Sequence, residues 1–199
     1  MLDKSIPYKD LIMKWDGNRQ CLLPACIPSG YRIRTWQEGD QRNWARIQKE
    51  AGEFENVTLS QIEAIFLQEY GEHKKELSLR CLFAENMDGE TDGVCMAWME
   101  QDEKGNRIPS LHWLAVRDAK KGLGIGTALV RESLRVFADR GEVPVYLHTQ
   151  PWSYEAVSLY FKAGFFLCRT ETFGTHKNQF SEGIRILERY LDVDPRCCR

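Results

Sequence analysis

The sequence lacks the long apolar runs that cross membranes. No apolar stretch of its 199 residues approaches the roughly 20 residues that a transmembrane helix needs. Its first residues also lack the apolar core of a signal peptide. The formal net charge is only −2, which argues against a global attraction to nucleic acid or to an anionic membrane. We therefore expect a cytoplasmic protein with neither a nucleic acid nor a membrane as its partner.

Cysteine and histidine are present but lack the spacing of a metal site. The seven cysteines are scattered and form no Cys-x-x-Cys motif, and the four histidines are scattered as well. Two of the cysteines, Cys81 and Cys95, fall in apolar, strand-like runs, where a free thiol behaves as a small hydrophobe. We expect reduced thiols and no bound metal.

The remaining composition is that of an ordinary globular domain, with 43% hydrophobic and 28% charged residues. Proline and glycine interrupt residues 1–30, so we expect an irregular N-terminal arm, yet one apolar enough to pack onto the domain. Residues 31–191 form the predicted domain, and residues 192–199 form a polar, flexible tail. Neither an internal repeat nor a second core is apparent.

Hydrophobic periodicity predicts an α/β fold in which helices cover both faces of a mixed sheet. Ser60-Gln61-Ile62-Glu63 has the pattern of a capping box and predicts the start of the second helix. The predicted strands are 31–34, 80–86, 94–99, 107–116, 143–149, 165–170 and 183–190. The predicted helices are 39–51, one beginning at residue 60, one ending near residue 140, and 153–163.

A glycine-rich loop separates the strand 107–116 from the helix that follows. It reads Lys121-Gly122-Leu123-Gly124-Ile125-Gly126-Thr127. Glycine lets a backbone approach a ligand closely, and the first turn of a helix presents unpartnered amide N–H groups with a partial positive charge. The pattern predicts a phosphate-binding turn. The alternative is a turn of the same kind that binds no ligand.

Two familiar phosphate loops do not fit this segment. A Walker loop needs a lysine after its last glycine, whereas Thr127 follows Gly126 directly, which also disfavours a nucleotide-binding switch. The dinucleotide fingerprint needs a glycine where Thr127 stands. The remaining order, basic-x-x-Gly-x-Gly, resembles the acyl-CoA loop of the GNAT family of N-acetyltransferases. Lys121 stands where that family usually has Gln or Arg.

A second segment carries the same resemblance. The family has Asn-x-x-Ala-x-x-Leu-Tyr after a strand, followed by Gly-Phe. This sequence matches that pattern with the right spacing at Ala156, Leu159, Tyr160, Gly164 and Phe165. Ser153 replaces the usual Asn and leaves an oxygen that could cap the helix.

The resemblance implies the GNAT acyl-CoA N-acyltransferase fold, with a central twisted mixed sheet flanked by helices. It also implies that the strands ending at Val116 and Thr149 are parallel and splay apart, so that the pantetheine arm of acetyl-CoA pairs with free backbone groups. Arg117 and Lys120 would add positive charge near the pyrophosphate, unless they form only a solvated surface. The cofactor-binding residues it implies are Leu114, Ala115, Val116, Lys121, Gly122, Leu123, Gly124, Ile125, Gly126, Thr127, Ser153 and Tyr160.

The activity that the resemblance implies is transfer of an acetyl group from acetyl-CoA to a primary amine of a small molecule or peptide. Tyr160 would protonate the departing thiolate, with an aromatic core residue as the alternative. His112 and His148 are candidate bases, with Glu100 a further candidate, although each histidine could be a hydrogen-bonded structural side chain. The resemblance also allows a chain of water molecules in place of one direct base. His112 would share a strand face with Leu114 by simple alternation. A catalytically silent acyl-CoA-binding module is the alternative function, and a homodimer remains open.

Overall fold

The computed structural model describes residues 2–18, 26–194 and 197–199. Parts of the predicted arm (1 and 19–25) and of the predicted tail (195–196) lie outside the described residues. The described strands are β1 (Leu11–Trp15), β2 (Tyr31–Thr35), β3 (Cys81–Asn86), β4 (Thr91–Gln101), β5 (Arg107–Val116), β6 (Val145–Thr149) and β7 (Phe166–Leu167). The described α-helices are α1 (Gln41–Ala51), α2 (Leu59–Tyr70), α3 (Lys74–Arg80), α4 (Ile125–Asp139), α5 (Tyr154–Lys162) and α6 (Phe180–Leu187).

The strands form one mixed sheet in the order β2-β3-β4-β5-β6-β1-β7. The pairs β2–β3, β3–β4, β1–β6 and β1–β7 are antiparallel, and β5 pairs with β6 in parallel. A mixed sheet flanked by helices confirms the predicted fold class. Chain contacts divide the molecule into unit 1 (Pro24–Ala97 and His112–Val136) and unit 2 (Leu2–Leu23, Trp98–Leu111 and Phe137–Arg199).

Unit 1 packs an aromatic core between its strands and two helices. Trp44 and Ile47 of α1 are fully buried, as the sequence predicts for the inward face of that helix. On α2 the buried residues are Ile62, Phe66 and Tyr70, which recur every four residues and so lie on one helix face. The rings of Trp44 and Phe66 lie 5.2 Å apart, which ties the two helices together.

Unit 2 is organised around β1, which lies between β6 and β7. Leu11 is opposite Thr149 and Trp15 is opposite Val145 on one side, and Met13 is opposite Leu167 on the other. Four of the five β1 side chains are fully buried. The irregular conformation predicted for residues 1–30 is therefore wrong at Leu11–Trp15. The pairing partners lie far along the chain, so no local pattern points to them.

Two further predictions are corrected by the structure. The predicted strand 183–190 is helical, because Phe180, Gly183 and Leu187 of α6 are the buried residues and have helical spacing. The capping box of α2 begins at Thr58, two residues before the predicted start at Ser60. Thr58 accepts from the backbone N–H of Gln61, and the Gln61 side chain accepts from the N–H of Thr58. Thr58-Leu59-Ser60-Gln61 satisfies the same pattern as the predicted segment.

The C-terminal residues of the chain make backbone contacts in unit 2. Arg199 donates to the carbonyl of Leu167 and accepts from the N–H of Arg169. The flexibility of segment 192–199 stays a prediction. In the part of the chain that the structure describes, no helix has both the length and the apolar character needed to cross a membrane.

Gly93 of β4 provides a test of the packing beneath α4. A Cβ atom at this position would lie 2.8 Å from Ile125 Cγ2 and 2.9 Å from Leu129 Cδ1. Overpacking of this kind costs about 1–3 kcal/mol. We expect Gly93→Ala to lower the free energy of unfolding by that amount in urea titrations.

Gly71→Ala is the matched control. Gly71 has the φ of −58° that alanine accepts, and the nearest atom to an added Cβ is 3.7 Å away. This variant should be neutral or slightly stabilised. Equal unfolding midpoints for Gly93→Ala and the unmodified protein would show that α4 does not pack tightly on β4.

Candidate functional site

The glycine-rich loop has the backbone conformation that its sequence requires. Gly122 and Gly124 have φ values of +80° and +87°, a region that residues with a Cβ enter only with strain. Apart from the adjoining residues, no atom of the described residues lies within 4 Å of the position that a Cβ of Gly122 would occupy, whereas a Cβ of Gly124 would lie 3.8 Å from Pro28 Cγ. The loop therefore presents bare backbone with open space beside Gly122.

Helix α4 begins immediately after this loop. The N–H of Ala128 donates to the carbonyl of Gly124 at 3.0 Å, which is the first hydrogen bond of the helix. The N–H groups of Ile125, Gly126 and Thr127 consequently have no acceptor within the helix. These groups carry the positive end of the helix dipole, and an anion is the partner that they favour.

Asp92 of β4 anchors the start of the loop. Its side chain is fully buried and accepts hydrogen bonds from Tyr31 Oη at 2.7 Å and Arg117 Nη1 at 2.8 Å. The N–H of Arg117 also donates to the Asp92 carbonyl at 2.9 Å. Burial and the hydrogen bond to Asp92 raise the pKa of Tyr31 to about 12, so this phenol is a neutral donor. Asp92 thus fixes the chain at the point where β5 ends.

Each basic residue of the loop has an acidic partner in unit 1. Arg117 Nε lies 2.5 Å from a Glu50 carboxylate oxygen, Lys120 Nζ lies 3.8 Å from Asp92, and Lys121 Nζ lies 3.0 Å from Asp118. The positive charge expected near the loop is therefore largely balanced. Arg117 holds the loop in place through its ion pairs with Glu50 and Asp92, which agrees with a structural role.

Trp113 interrupts the regular alternation of β5. Its φ of +53° is in the left-handed region, which costs roughly 1–3 kcal/mol and persists only where the surroundings hold it. Its indole N–H donates to Tyr70 Oη at 2.8 Å, and its carbonyl accepts from Gln48 Nε2 at 3.1 Å. A left-handed residue redirects the strand, so the simple alternation that placed His112 on the face of Leu114 does not hold across Trp113.

The imidazole of His112 contacts the same tyrosine. Tyr70 Oη lies 3.4 Å from His112 Nδ1, at the long end of a hydrogen bond. Burial raises the pKa of Tyr70 far above its usual value, so its hydroxyl stays protonated. His112 is thereby linked to the side chains that hold Trp113, which favours the structural interpretation of this histidine.

His148 of β6 lies in a different environment in unit 2. Its Nε2 is 2.9 Å from Asp10 Oδ1 and 3.0 Å from Tyr8 Oη. Its ring stacks on that of His176, with centroids 4.4 Å apart and planes 9° from parallel. Burial and the neighbouring His176 lower the pKa of His148, although Asp10 acts in the opposite direction. His148 therefore favours the neutral form, which is the form a base needs.

Tyr160 and Ser153 also belong to unit 2. Tyr160 of α5 is 8% exposed, and its ring meets Phe165 edge to face at 5.8 Å. Ser153 is buried, but its hydroxyl accepts from Gln150 Nε2 at 2.9 Å and makes no capping hydrogen bond to α5. The capping role expected of Ser153 is therefore wrong, because its φ of −96° and ψ of 30° are not the extended conformation typical of a capping residue.

The predicted site residues divide between the two units. Unit 1 holds His112, the backbone of 114–116 and the loop 121–127, whereas unit 2 holds His148, Ser153 and Tyr160. Strands β5 and β6 are parallel, with Ser110 opposite Tyr146 in unit 2. Their splay, like the roles of the individual residues, stays a prediction.

Sequence reasoning missed the partners of His148, namely Tyr8, Asp10 and His176. Tyr8 and Asp10 precede an unrecognised strand, and His176 falls in a segment that follows β7. No local motif marks any of them. Among the described residues, no group of three or more His, Cys, Asp or Glu side chains could hold a metal ion.

Asp92→Asn tests the anchoring of the loop. The substitution keeps the shape of the side chain but removes the charge that faces Arg117 and Lys120. Hydrogen bonds to a buried charged group contribute about 1.5–3 kcal/mol, so we expect a loss of roughly 2 kcal/mol in the free energy of urea unfolding.

The control for this test is Asp118→Asn, which removes the exposed partner of Lys121. Exposed ion pairs contribute little, and this variant should unfold at the same urea concentration as the unmodified protein. If Asp92→Asn and Asp118→Asn behave alike, Asp92 is not the anchor of the loop.

Several solved structures of known proteins share the fold of this chain. No curated protein matches the sequence. A GCN5-related N-acetyltransferase from Sphaerobacter thermophilus superimposes with a TM-score of 0.59 at 23% identity, over 82% of this chain and 51% of that one. An acetyltransferase of Pyrococcus horikoshii gives 0.54 at 19% identity, over 67% of this chain and 42% of that one. The chain thus spans about half the length of these two structures, or less.

A third solved structure, the diaminobutyrate acetyltransferase of Paenibacillus lautus, superimposes with a TM-score of 0.50 at 14% identity, over 66% of this chain and 72% of that one. At these identities the structures show the shared fold alone. The model of the acetyltransferase (GNAT) family matches residues 37–165, which is more than half of the chain. The chain therefore belongs to the acetyltransferase (GNAT) family.

Proposed function

We propose that this protein is an acetyl-CoA-dependent N-acetyltransferase. The observation that carries the proposal is the glycine-rich loop at the start of α4, in a chain that belongs to the GNAT family. Its left-handed Gly122 has open space where a Cβ would stand, and the first turn of the helix that follows has N–H groups without an acceptor inside the helix, which suits a phosphate group.

Acetyl-CoA fits the groups that unit 1 offers. In this proposal the N–H groups of the loop, Lys121–Thr127, bind its pyrophosphate, and the backbone of Leu114–Val116 pairs with the amide groups of the pantetheine arm. We further propose that Ser153 and Tyr160 of unit 2 contact the cofactor. The ion pairs of Lys120 and Lys121 leave most of the phosphate binding to backbone amides.

The proposed reaction forms one bond and breaks one. The neutral amine nitrogen of the acceptor attacks the thioester carbonyl carbon, and an N–H group of β5 at or beside Leu114 stabilises the oxygen as it becomes negative. The C–N bond forms, the C–S bond breaks, and the thiolate takes the proton of the Tyr160 hydroxyl, which regains a proton from solvent. The proton that the amine loses goes to a base, for which His148 has the better surroundings of the two candidate histidines.

The acceptor in this proposal is a primary amine of a small molecule or a peptide. The Paenibacillus enzyme is described in complex with 2,4-diaminobutyric acid and coenzyme A, which is in keeping with an amine acceptor and a CoA cofactor.

We also propose a cytoplasmic enzyme, since all six described cysteines are free thiols. A catalytic domain at 31–191 and a homodimer are further proposals, and light scattering tests the latter.

Substituting Tyr160 with phenylalanine separates catalysis from packing. The ring and its contact with Phe165 are retained, while the proton donor is lost. Because general acid catalysis is typically worth about 10²–10⁴-fold, we expect kcat to fall by at least about 10². The dissociation constant of CoA, measured by isothermal titration calorimetry, should change little.

Phe161→Leu, which alters the next side chain of α5 but no proton donor, is the control and should retain kcat. A kcat for Tyr160→Phe within about threefold of the unmodified enzyme, with chemistry rate-limiting, would remove Tyr160 from the mechanism. Tight CoA binding without turnover of any amine would point to the silent acyl-CoA-binding module. No CoA binding at millimolar concentration would contradict both functions.

A further inference from the structure

A cluster of titratable side chains surrounds His148 in unit 2. Tyr8 and Asp10 come from the segment before β1, Glu100 from the end of β4, and His176 from the segment after β7. Asp10 Oδ1 lies 2.9 Å from Nε2 of His148, and Glu100 Oε1 lies 3.3 Å from Nε2 of His176. Two stacked imidazoles thus each have a carboxylate within reach of Nε2.

The carboxylate of Asp10 is held in position before any substrate arrives. Its backbone N–H donates to Gln179 Oε1 at 3.1 Å, and its carbonyl accepts from the Gln179 N–H at 2.8 Å. Tyr8 Oη donates to Asp10 Oδ1 at 2.5 Å. Burial alone would raise the pKa of Asp10, but the hydrogen bonds from Tyr8 and His148 hold it below its usual value. Asp10 is therefore an anion at neutral pH.

This anion determines which nitrogen of His148 carries the proton. A neutral imidazole has one N–H and one lone pair. Because Asp10 can only accept, the N–H is at Nε2 and points to Asp10. The lone pair is then at Nδ1, which is the atom able to take a proton from an amine.

The second ring acts on the charge of His148. His176 is stacked at 4.4 Å, and its Nε2 lies 3.3 Å from Glu100 Oε1. Two like charges at this separation repel, so a proton on His176 disfavours a proton on His148. In the part of the chain that the structure describes, the charged and titratable groups that face His148 include Tyr8, Asp10, Glu100 and His176.

We propose that Asp10 and His176 are positioning residues for His148: Asp10 fixes the proton on Nε2, and His176 keeps the ring uncharged. The inference rests on the proposed function, in which His148 is the base toward the acceptor amine. The amine proton passes to Nδ1, the imidazolium is stabilised by Asp10, and the proton then leaves to solvent. The lowered pKa of His148 agrees with this arrangement.

An NMR titration of the histidine ring protons tests the inference without any substrate. The chain has only four histidines, so few ring-proton signals need to be resolved. Asp10→Asn removes the anion but keeps an oxygen acceptor, so the pKa of His148 should fall. His176→Phe keeps a flat ring for stacking but removes the repelling charge, so the pKa of His148 should rise.

Opposite shifts in the two variants support the inference. Unchanged titration of His148, or shifts of the same sign in both, would overturn it, because loss of packing alone does not predict opposite signs. Each variant is informative by itself, so failure of one to fold, judged by circular dichroism, leaves the other as the test. The His148 signal is assigned by its absence in His148→Gln.

Kinetics separate this inference from the proposed function. In the pH profile of kcat, the acid limb should move down for Asp10→Asn and up for His176→Phe, and Asp10→Asn should lose up to about 10²-fold in kcat because the imidazolium loses its stabilising charge. CoA affinity should stay unchanged. Acetyl transfer with unmoved acid limbs would reject the roles of Asp10 and His176 but leave the function standing. No transfer to any amine would reject the function, while the NMR shifts still decide the protonation of His148.

Discussion

The buried carboxylate of Asp92 is the constraint on which the geometry of the loop depends. It joins β4 to the end of β5 by a backbone hydrogen bond and by ion pairs, and it does so at the residue where the loop begins. A free charge in this fully buried position would be costly, so Arg117 and Tyr31 must remain in place to satisfy it. The conformation of the loop therefore does not rely on a bound anion to hold it.

Trp113 applies a comparable constraint to β5. A left-handed tryptophan inside a strand is unfavourable, and here two hydrogen bonds and the neighbouring aromatic rings of unit 1 hold it. Residues kept in strained conformations are concentrated at functional sites. The three residues that follow Trp113 are those whose backbone we propose to bind the pantetheine arm, so the aromatic core of α1 and α2 positions this backbone.

The sequence predicted the elements that are encoded locally. The strand 107–116 has the predicted bounds, and the glycine loop and the start of α4 follow from residue types with one favoured conformation. β1 could not be predicted in this way, because its burial comes from strands far along the chain. The same limitation hid Asp10, whose contact with His148 exists only once β1 has paired with β6. Strand 183–190 was mispredicted because a short apolar run fits both periodicities.

The roles of charged residues were equally hard to read from sequence. Arg117, Lys120 and Lys121 form a basic run, but the acids that balance them come from α1, β4 and the loop itself. A count of charges along the chain cannot show this compensation. We therefore propose that the backbone of the loop, rather than these side chains, carries most of the anion binding, which is the central claim of this account.

Isothermal titration of CoA into two double variants tests that claim most directly. Gly122→Ala/Gly124→Ala forces strained left-handed residues on the loop, at ~1–2 kcal/mol each, while Lys120→Gln/Lys121→Gln removes the side-chain charge. If the backbone binds the phosphates, the glycine variant should bind CoA at least about tenfold more weakly than the unmodified protein, and the lysine variant should stay within about threefold. The reverse order of affinities would contradict the account.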